Sequence, residues 1–310
     1  MGPDPANASR AVRPMEQPMT RRIVLVHAHP DDETLTCGTT MAHHAARGDE
    51  VHVVTCTLGE EGEVIPANLR HLEGHPADLL AAHRRGELSA ALAALGAHGH
   101  VLGENGLGAR RYRDSGMAGS AAAARREAFV NADLSEAGAA LAGLLRDLRP
   151  DALVTYDPDG GYRHPDHIQA HRLTRAALDQ LADGELPTRT LEIRTPRTWA
   201  EQDRAWTRGA DSAAYGLVVL APEDTHPPSV VDDDEITHVV EDPSTRANKL
   251  AAMRAHATQV IVATDDLHAL SNLIARRTTD REAFRQVDPR TWEPVPIAAR
   301  RPGPVADLIG

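Results

Sequence analysis

Residues 22–33 read RIVLVHAHPDDE, an apolar run rich in β-branched residues that breaks at His29-Pro30 into three consecutive acids. Arg22–Ala28 has the length and composition of a buried strand. From Glu33 to Arg47 the sequence turns helical, and Gly48 is placed to end the helix. Strand, short polar loop and helix in that order make the opening of a βα unit, so the acids stand at the carboxyl end of a strand.

The same grammar continues along the chain. Val51–Thr57 (VHVVTCT) reads as a second strand, Ala77–Leu95 as a helix stopped by Gly96, and His100–Leu102 as a very short third strand. Asp133–Arg149 opens on an Asp-x-x-Glu capping signal and halts at Pro150. Ala152–Tyr156 is strand-like, and a helix is expected from about His167 to Leu181. This alternation predicts an α/β fold, a Rossmann-like, mostly parallel sheet with helices on both faces. Past Gly184 the pattern loosens: strands are expected at Leu191–Arg194, Tyr215–Leu220 and Ile236–Val240, a helix at Lys249–Val262, and Pro-rich material to the end. The expected organisation is a leader over 1–21, a catalytic domain over 22–184, and a smaller C-terminal α+β portion over 185–310 packed on it.

Composition narrows the function. The 310 residues are 41% hydrophobic with a net charge of −12, which argues against nucleic acid or an acidic membrane as partner. No apolar run approaches the roughly 18–20 residues that span a bilayer, and residues 1–22 lack the apolar core of a secretory signal. Cytoplasmic residence is the expectation. Cys37 and Cys56 match no CxxC or disulfide framework and read as reduced core residues. Lys249 is the single lysine, outside any phosphate-cradling context; GxSxG and GxGxxG are also missing, so the fold implies no dinucleotide.

Two segments carry chemistry. His29-Pro30-Asp31-Asp32-Glu33 follows the first strand, and His164-Pro165-Asp166-His167 follows the strand at Ala152–Tyr156. Loops at the carboxyl ends of parallel strands share one rim, so segments well over a hundred residues apart in sequence can meet. Catalytic zinc takes three His or carboxylate ligands and leaves a position for water; His29, Asp32 and His167 make up that number. Asp31 is then a carboxylate beside the metal and not on it, as a general base requires. His164 can face the site from the other side, with Asp166 bonded to one of its ring nitrogens. The competing reading of the acids is a capped helix N-terminus, and His-Pro also occurs in plain turns.

Together these motifs resemble the PIG-L/LmbE-type zinc de-N-acetylases. LGEEGEVI (58–65), RRGEL (84–88), RDSGMAG (113–119), YDPDGGYRHPDH (156–167) and KLAAMRAHATQ (249–259) resemble the mycothiol-pathway branch, which deacetylates N-acetylglucosaminyl-inositol. The resemblance covers the chain from Arg22 to about Gln259. It implies one Zn2+ per chain, with Fe2+ as an alternative, on His29, Asp32 and His167. It implies Asp31 as general base, His164 as acid or oxyanion stabiliser modulated by Asp166, and Tyr162 polarising the acetyl carbonyl. Arg84 and Asp114 fall where the branch contacts sugar and inositol hydroxyls, with Met117 beside them. Arg163 is bulkier than the branch pattern and bears on loop mobility. The implied partner is a small amino-sugar substrate; the sequence carries no sign of oligomeric state. The alternatives are a mycothiol S-conjugate amidase sharing this chemistry, and a non-catalytic metal- or sugar-binding module.

Overall fold

A computed structural model describes residues 20–295 and 307–309. All but the last two positions of the expected leader lie outside the described residues. The opening strand is β1 (Arg22–His27), with all but its first residue buried. It is followed by α1 (Asp32–Ala46), β2 (Glu50–Thr55), α2 (Leu79–Leu95), β3 (His98–Val101), α3 (Leu134–Leu148) and β4 (Ala152–Thr155). The expected cap on α3 is present: the Asp133 carboxylate accepts from the Ser135 and Glu136 amides. A tight turn, α4 (Gly160–Arg163), leads into α5 (Pro165–Leu178), and β5 (Arg189–Pro196) completes the alternating series.

Strands β1 to β5 pair in parallel in the order β3-β2-β1-β4-β5. The order reverses between β1 and β4, and open sheets of this kind bind ligands in the crevice at that point. The loops bearing the two chemical motifs leave these two strands. Alternation along the strands sends Val24, Val26, Val54 and Leu153 to one face, where Leu141 and Leu145 of α3 and Leu173 of α5 cover them. Ile23, Leu25, Val51 and Val53 point to the other, against Met41 of α1 and Leu88 and Leu92 of α2. Both cysteines are buried and unpaired.

Beyond residue 184 the chain adds α6 (Arg197–Gly209), β6 (Val230–Val231), β7 (His238–Glu241), α7 (Arg246–Ala255), β8 (Ile261–Thr264), β9 (Leu267–Ala269), β10 (Arg276–Arg277) and β11 (Arg281–Val287). Strand β11 runs antiparallel between β5 and β7, so the main sheet continues across the expected division at 184/185. Strands β8–β10 form a small antiparallel sheet of their own.

Three expectations are corrected here. Tyr215–Leu220 is not a strand: Ser212–Tyr215 is a 3-10 turn ended by Gly216 at φ 69°, and Val218 makes only an isolated bridge to Ile274. The helix expected over Lys249–Val262 stops at Ala255, because the side chain of His256 is drawn into the interior and the β-branched Ile261-Val262 that follow favour a strand. The expected Pro-rich tail contains β11, whose mixed apolar and charged residues hide a strand buried between two others.

Candidate active site

Pro30 ends the strand path, and Asp31 then adopts φ 113°, a conformation few non-glycine residues hold. That turn places Asp32 in the first turn of α1, facing inward, where the helix N-terminus favours a carboxylate. On the other side of the switch point, His164 caps α5: its Nδ1 accepts the Asp166 amide at 3.2 Å, and Pro165 occupies the first helical position. His167, one turn along, then points back at Asp32.

The loops meet as the sequence predicts. Asp32 Oδ2 lies 3.4 Å from His29 Nδ1 and 3.3 Å from His167 Nε2. Ligands about 2.0–2.1 Å from a tetrahedral ion stand about 3.3–3.4 Å apart, the spacing at which Asp32 stands from each of the two histidines. His29 Nε2 donates to Asp166 Oδ2 at 3.1 Å, which leaves Nδ1, facing Asp32, as the nitrogen on which a metal would replace a proton. Among the described residues His29, His164 and His167 also bring ring nitrogens within one ion's reach, as do His29, Asp114 and Asp166 side-chain atoms. The nitrogen shared by the second group is the one already hydrogen-bonded to Asp166. The His167 ring stacks on Tyr156, centroids 4.3 Å apart, and the Tyr156 hydroxyl accepts the Ala28 amide, tying the two loops together.

Electrostatics separates the groups. Burial works to raise Asp32, yet His167 and His29 hold it well below the usual carboxylate range. For Asp31 burial wins: against the pull of Arg84 its pKa rises to about 7. Burial disfavours charge on His29, but Asp114, Asp166 and Asp32 raise it well above 6.5. His164 goes the other way, to about 4, through burial and the neighbouring His29 and His167. With Nδ1 accepting a backbone N–H, His164 is a neutral imidazole whose Nε2 carries the proton.

Asp166 requires a correction: its carboxylate is not on a ring nitrogen of His164. It accepts from His29 Nε2 and from the Ser115 amide at 2.9 Å, because the helix cap at His164 uses the backbone of Asp166 and leaves its side chain to reach across to the first loop.

Arg84 is only 2% exposed; it donates to the carbonyls of Gly59 and Pro30 and lies 3.4 Å from Asp31 Oδ2. Gly59, at φ 66°, is required, since a Cβ there would come within 1.7 Å of Arg84 Nη1. Asp114 accepts from the Gly116 amide at 2.7 Å and sits 3.6 Å from His29 Nε2. Both lie inside the site with most of their polar atoms committed to the protein. Tyr162 and Met117 are 54% and 59% exposed. The Tyr162 hydroxyl turns inward, 3.5 Å from His167 Nε2. Its turn is irregular, with Gly161 at φ 77° and Arg163 at φ 71°, and Arg163 points to Asp159.

One pair was not legible. Glu33 is fully buried: its Oε2 accepts the Asp31 amide at 2.9 Å, and its Oε1 accepts from His256 Nε2 at 2.7 Å and Thr34 Oγ1 at 2.6 Å. His256 is also fully buried, and Glu33 raises its pKa despite that burial. The two are 223 positions apart in sequence, and the sole sequence signal was a histidine where a helix was expected to continue.

Residues 24–178, which contain both loops, match the family model described as PIG-L: GlcNAc-PI de-N-acetylase. The chain is 46% identical over 293 residues to the 1D-myo-inositol 2-acetamido-2-deoxy-alpha-D-glucopyranoside deacetylase of Rhodococcus opacus (strain B4), covering 88% of this chain and 97% of that protein. To the deacetylase of the same description from Streptomyces avermitilis it is 47% identical over 277 residues, covering 86% and 92%. Among solved structures, N,N'-diacetylchitobiose deacetylase from Pyrococcus horikoshii is similar at 22% identity and a TM-score of 0.46, over 77% of this chain and 71% of that one.

Proposed function

Because this chain belongs to the PIG-L family of GlcNAc-PI de-N-acetylases, we propose that it hydrolyses the acetamide of N-acetylglucosaminyl-inositol to acetate and glucosaminyl-inositol, the deacetylation step of mycothiol biosynthesis. The likeness to deacetylases of that substrate over nearly the whole chain supports the substrate. The observation that carries the chemistry is the approach of His29 and His167 to Asp32 across the switch point, with Asp31 beside them against Arg84.

Our reading assigns one Zn2+ to His29, Asp32 and His167, with Fe2+ as the alternative ion. Bound there, the ion would lower the pKa of water toward about 7 and polarise the acetyl carbonyl. Asp31 takes the proton of the attacking water; its raised pKa keeps proton transfer reversible near neutral pH. His164 donates Nε2–H, as a neutral imidazole, to the oxygen that develops negative charge, and the Tyr162 hydroxyl donates beside it. When the C–N bond breaks, Asp31 returns its proton to the leaving amine, since neutral His164 has no proton it readily gives up. Asp166 and Asp114 orient His29, and Arg84 holds Asp31. Arg84 and Asp114 reach substrate hydroxyls only at their uncommitted edges, and exposed Met117 lines the approach.

No described helix is long and apolar enough to cross a membrane; we assign the enzyme to the cytoplasm with a small-molecule partner. The test is formation of glucosaminyl-inositol, with its free amine, by Zn2+-loaded protein, compared between N-acetylglucosaminyl-inositol and a mycothiol S-conjugate. The first should win by at least about tenfold in kcat/KM. Preference for the S-conjugate would overturn the substrate, and no free amine from a fully loaded enzyme would overturn the reaction.

A further inference from the structure

The segment LGEEGEVI (58–65) takes no part in the chemistry assigned above, although its Gly59 packs on Arg84. It leaves the carboxyl end of β2, beside β1 in the sheet, and so shares the rim that carries the two chemical loops. The Thr57 amide donates to the Ala28 carbonyl at 2.9 Å. Residues 59–62 then close a turn, the Gly62 amide donating to the Gly59 carbonyl at 3.1 Å. Of the acids in the segment, Glu60 is buried, Glu61 half-buried and Glu63 exposed. A buried acid needs partners, and Glu60 finds them in residues 111–114.

The turn grips two side chains at once. The Gly59 carbonyl accepts from Arg84 Nη1 at 2.8 Å, and a Cβ on Gly62 would come within 2.8 Å of the same nitrogen, so the turn is bare where the guanidinium lies. Glu60 Oε2 accepts the Asp114 amide at 2.9 Å, and the Glu61 amide donates to Asp114 Oδ2 at 3.3 Å. Asp114 is thus held by its backbone and its side chain together. The second oxygen of Glu60, Oε1, accepts from Arg111 Nη2 at 2.7 Å. Both oxygens of the buried carboxylate are bonded, one of them by a cation that balances its charge.

We propose that Glu60 is a positioning residue for substrate binding: it fixes Asp114 directly, and Arg84 through the turn it anchors, so that the two meet the substrate as one unit. This rests on the reading above that Arg84 and Asp114 meet hydroxyls of the amino-sugar substrate. A hydroxyl both donates and accepts, so a carboxylate and a guanidinium can read one polyol together, provided their spacing matches it. Glu60 touches no substrate, since its oxygens are committed to Asp114 and Arg111. Asp31 keeps the hydrogen bond from its amide to Glu33, and His29 keeps its bond to Asp166, whatever becomes of Glu60. Loss of Glu60 therefore falls on binding more than on bond breaking.

The test is steady-state kinetics of the Zn2+-loaded full-length protein on N-acetylglucosaminyl-inositol, read as glucosaminyl-inositol formed. Glu60→Gln keeps the shape but offers a single acceptor oxygen to two donors. R111Q, at a half-buried arginine, loosens the same carboxylate from its other side and tests the contact should E60Q not fold. KM should rise about tenfold in E60Q and about threefold in R111Q, with kcat within about threefold of the parent and Zn2+ content unchanged. A loss carried by kcat or by Zn2+ content, or an unchanged KM in the folded variants, overturns the positioning role. Asp114→Ala separates this role from the reading beneath it, and should raise KM at least as much as E60Q. If KM rises in D114A alone, Glu60 is dismissed and the substrate contact stands. If KM is unchanged in D114A, the contact fails and the role of Glu60 with it.

Discussion

Asp31 and Asp32 are identical side chains on neighbouring positions, and their surroundings drive them apart. Asp32 faces two imidazoles; Asp31 faces a single guanidinium and the repulsion of Asp32 itself. The backbone makes the division: with Asp31 at φ 113° the two carboxylates leave the chain in different directions. We expect Asp31→Asn to keep its metal and lose about 10²–10⁴-fold in kcat; a variant with intact turnover would remove Asp31 as the base. Glu33 holds the strained turn by accepting the Asp31 amide, and His256 holds Glu33. Because a displacement of about 1 Å can cost about 100-fold in rate, His256→Gln should lower kcat by about tenfold or more with KM and metal content little changed. Equal loss through KM, or loss of metal, would show a different role. The proposed ligands and base were legible because each sits inside a short motif. Glu33 read as one more helix-start acid because its partner comes from the far end of the chain.

Helix α1 carries the first loop and is pinned along its length. Glu282 of β11 accepts the Thr39 and Thr40 amides and pairs with Lys249 of α7 at 2.7 Å, both charges buried. The only lysine of the chain is thus a clamp between α7, α1 and the sheet. Removing one partner strands the other charge in the interior, at about 3–5 kcal/mol. Lys249→Met should lower unfolding stability by that order in a urea titration, and a change below about 1 kcal/mol would show that Glu282 is satisfied without it. Helices and strands up to β5 were readable from periodicity and caps, as at Asp133. Strand β11 was not: between two partners its burial is set by pairing rather than alternation, and Arg281, Glu282 and Arg285 in it are buried or half-buried in ion pairs.

Across the described residues, burial holds more histidines toward the neutral form than carboxylates hold toward the charged one. Burial leads the causes that lower His44, His52, His100, His171 and His268, with His52 at about 4 and His268 at about 3. Below 6.5 the unfolded chain protonates these groups and the folded one does not, so folding loses stability as pH falls through that window. His29 and His256, raised by carboxylates, and Asp31, raised by burial, oppose the trend but are fewer. The Tm of metal-free protein should therefore fall steadily from about pH 6.5 to about 4; a Tm constant across that interval would contradict the buried-neutral assignment.

The sequence alone determined the parallel α/β sheet, the strand ends that carry chemistry, and the set His29, Asp31, Asp32, His164 and His167, because each depends on spacing within one local segment. Tertiary structure decided what those groups are connected to. Asp166 serves His29 rather than its neighbour His164, Arg84 is closed over by Gly59 and set against Asp31, and His256 crosses the molecule to Glu33. Strands β5, β11 and β7 extended the sheet of β1–β4 across the expected division at 184/185. The physical reason is common to all of these: a buried polar group must find a partner wherever the fold brings one, and that requirement leaves no periodic trace in the chain.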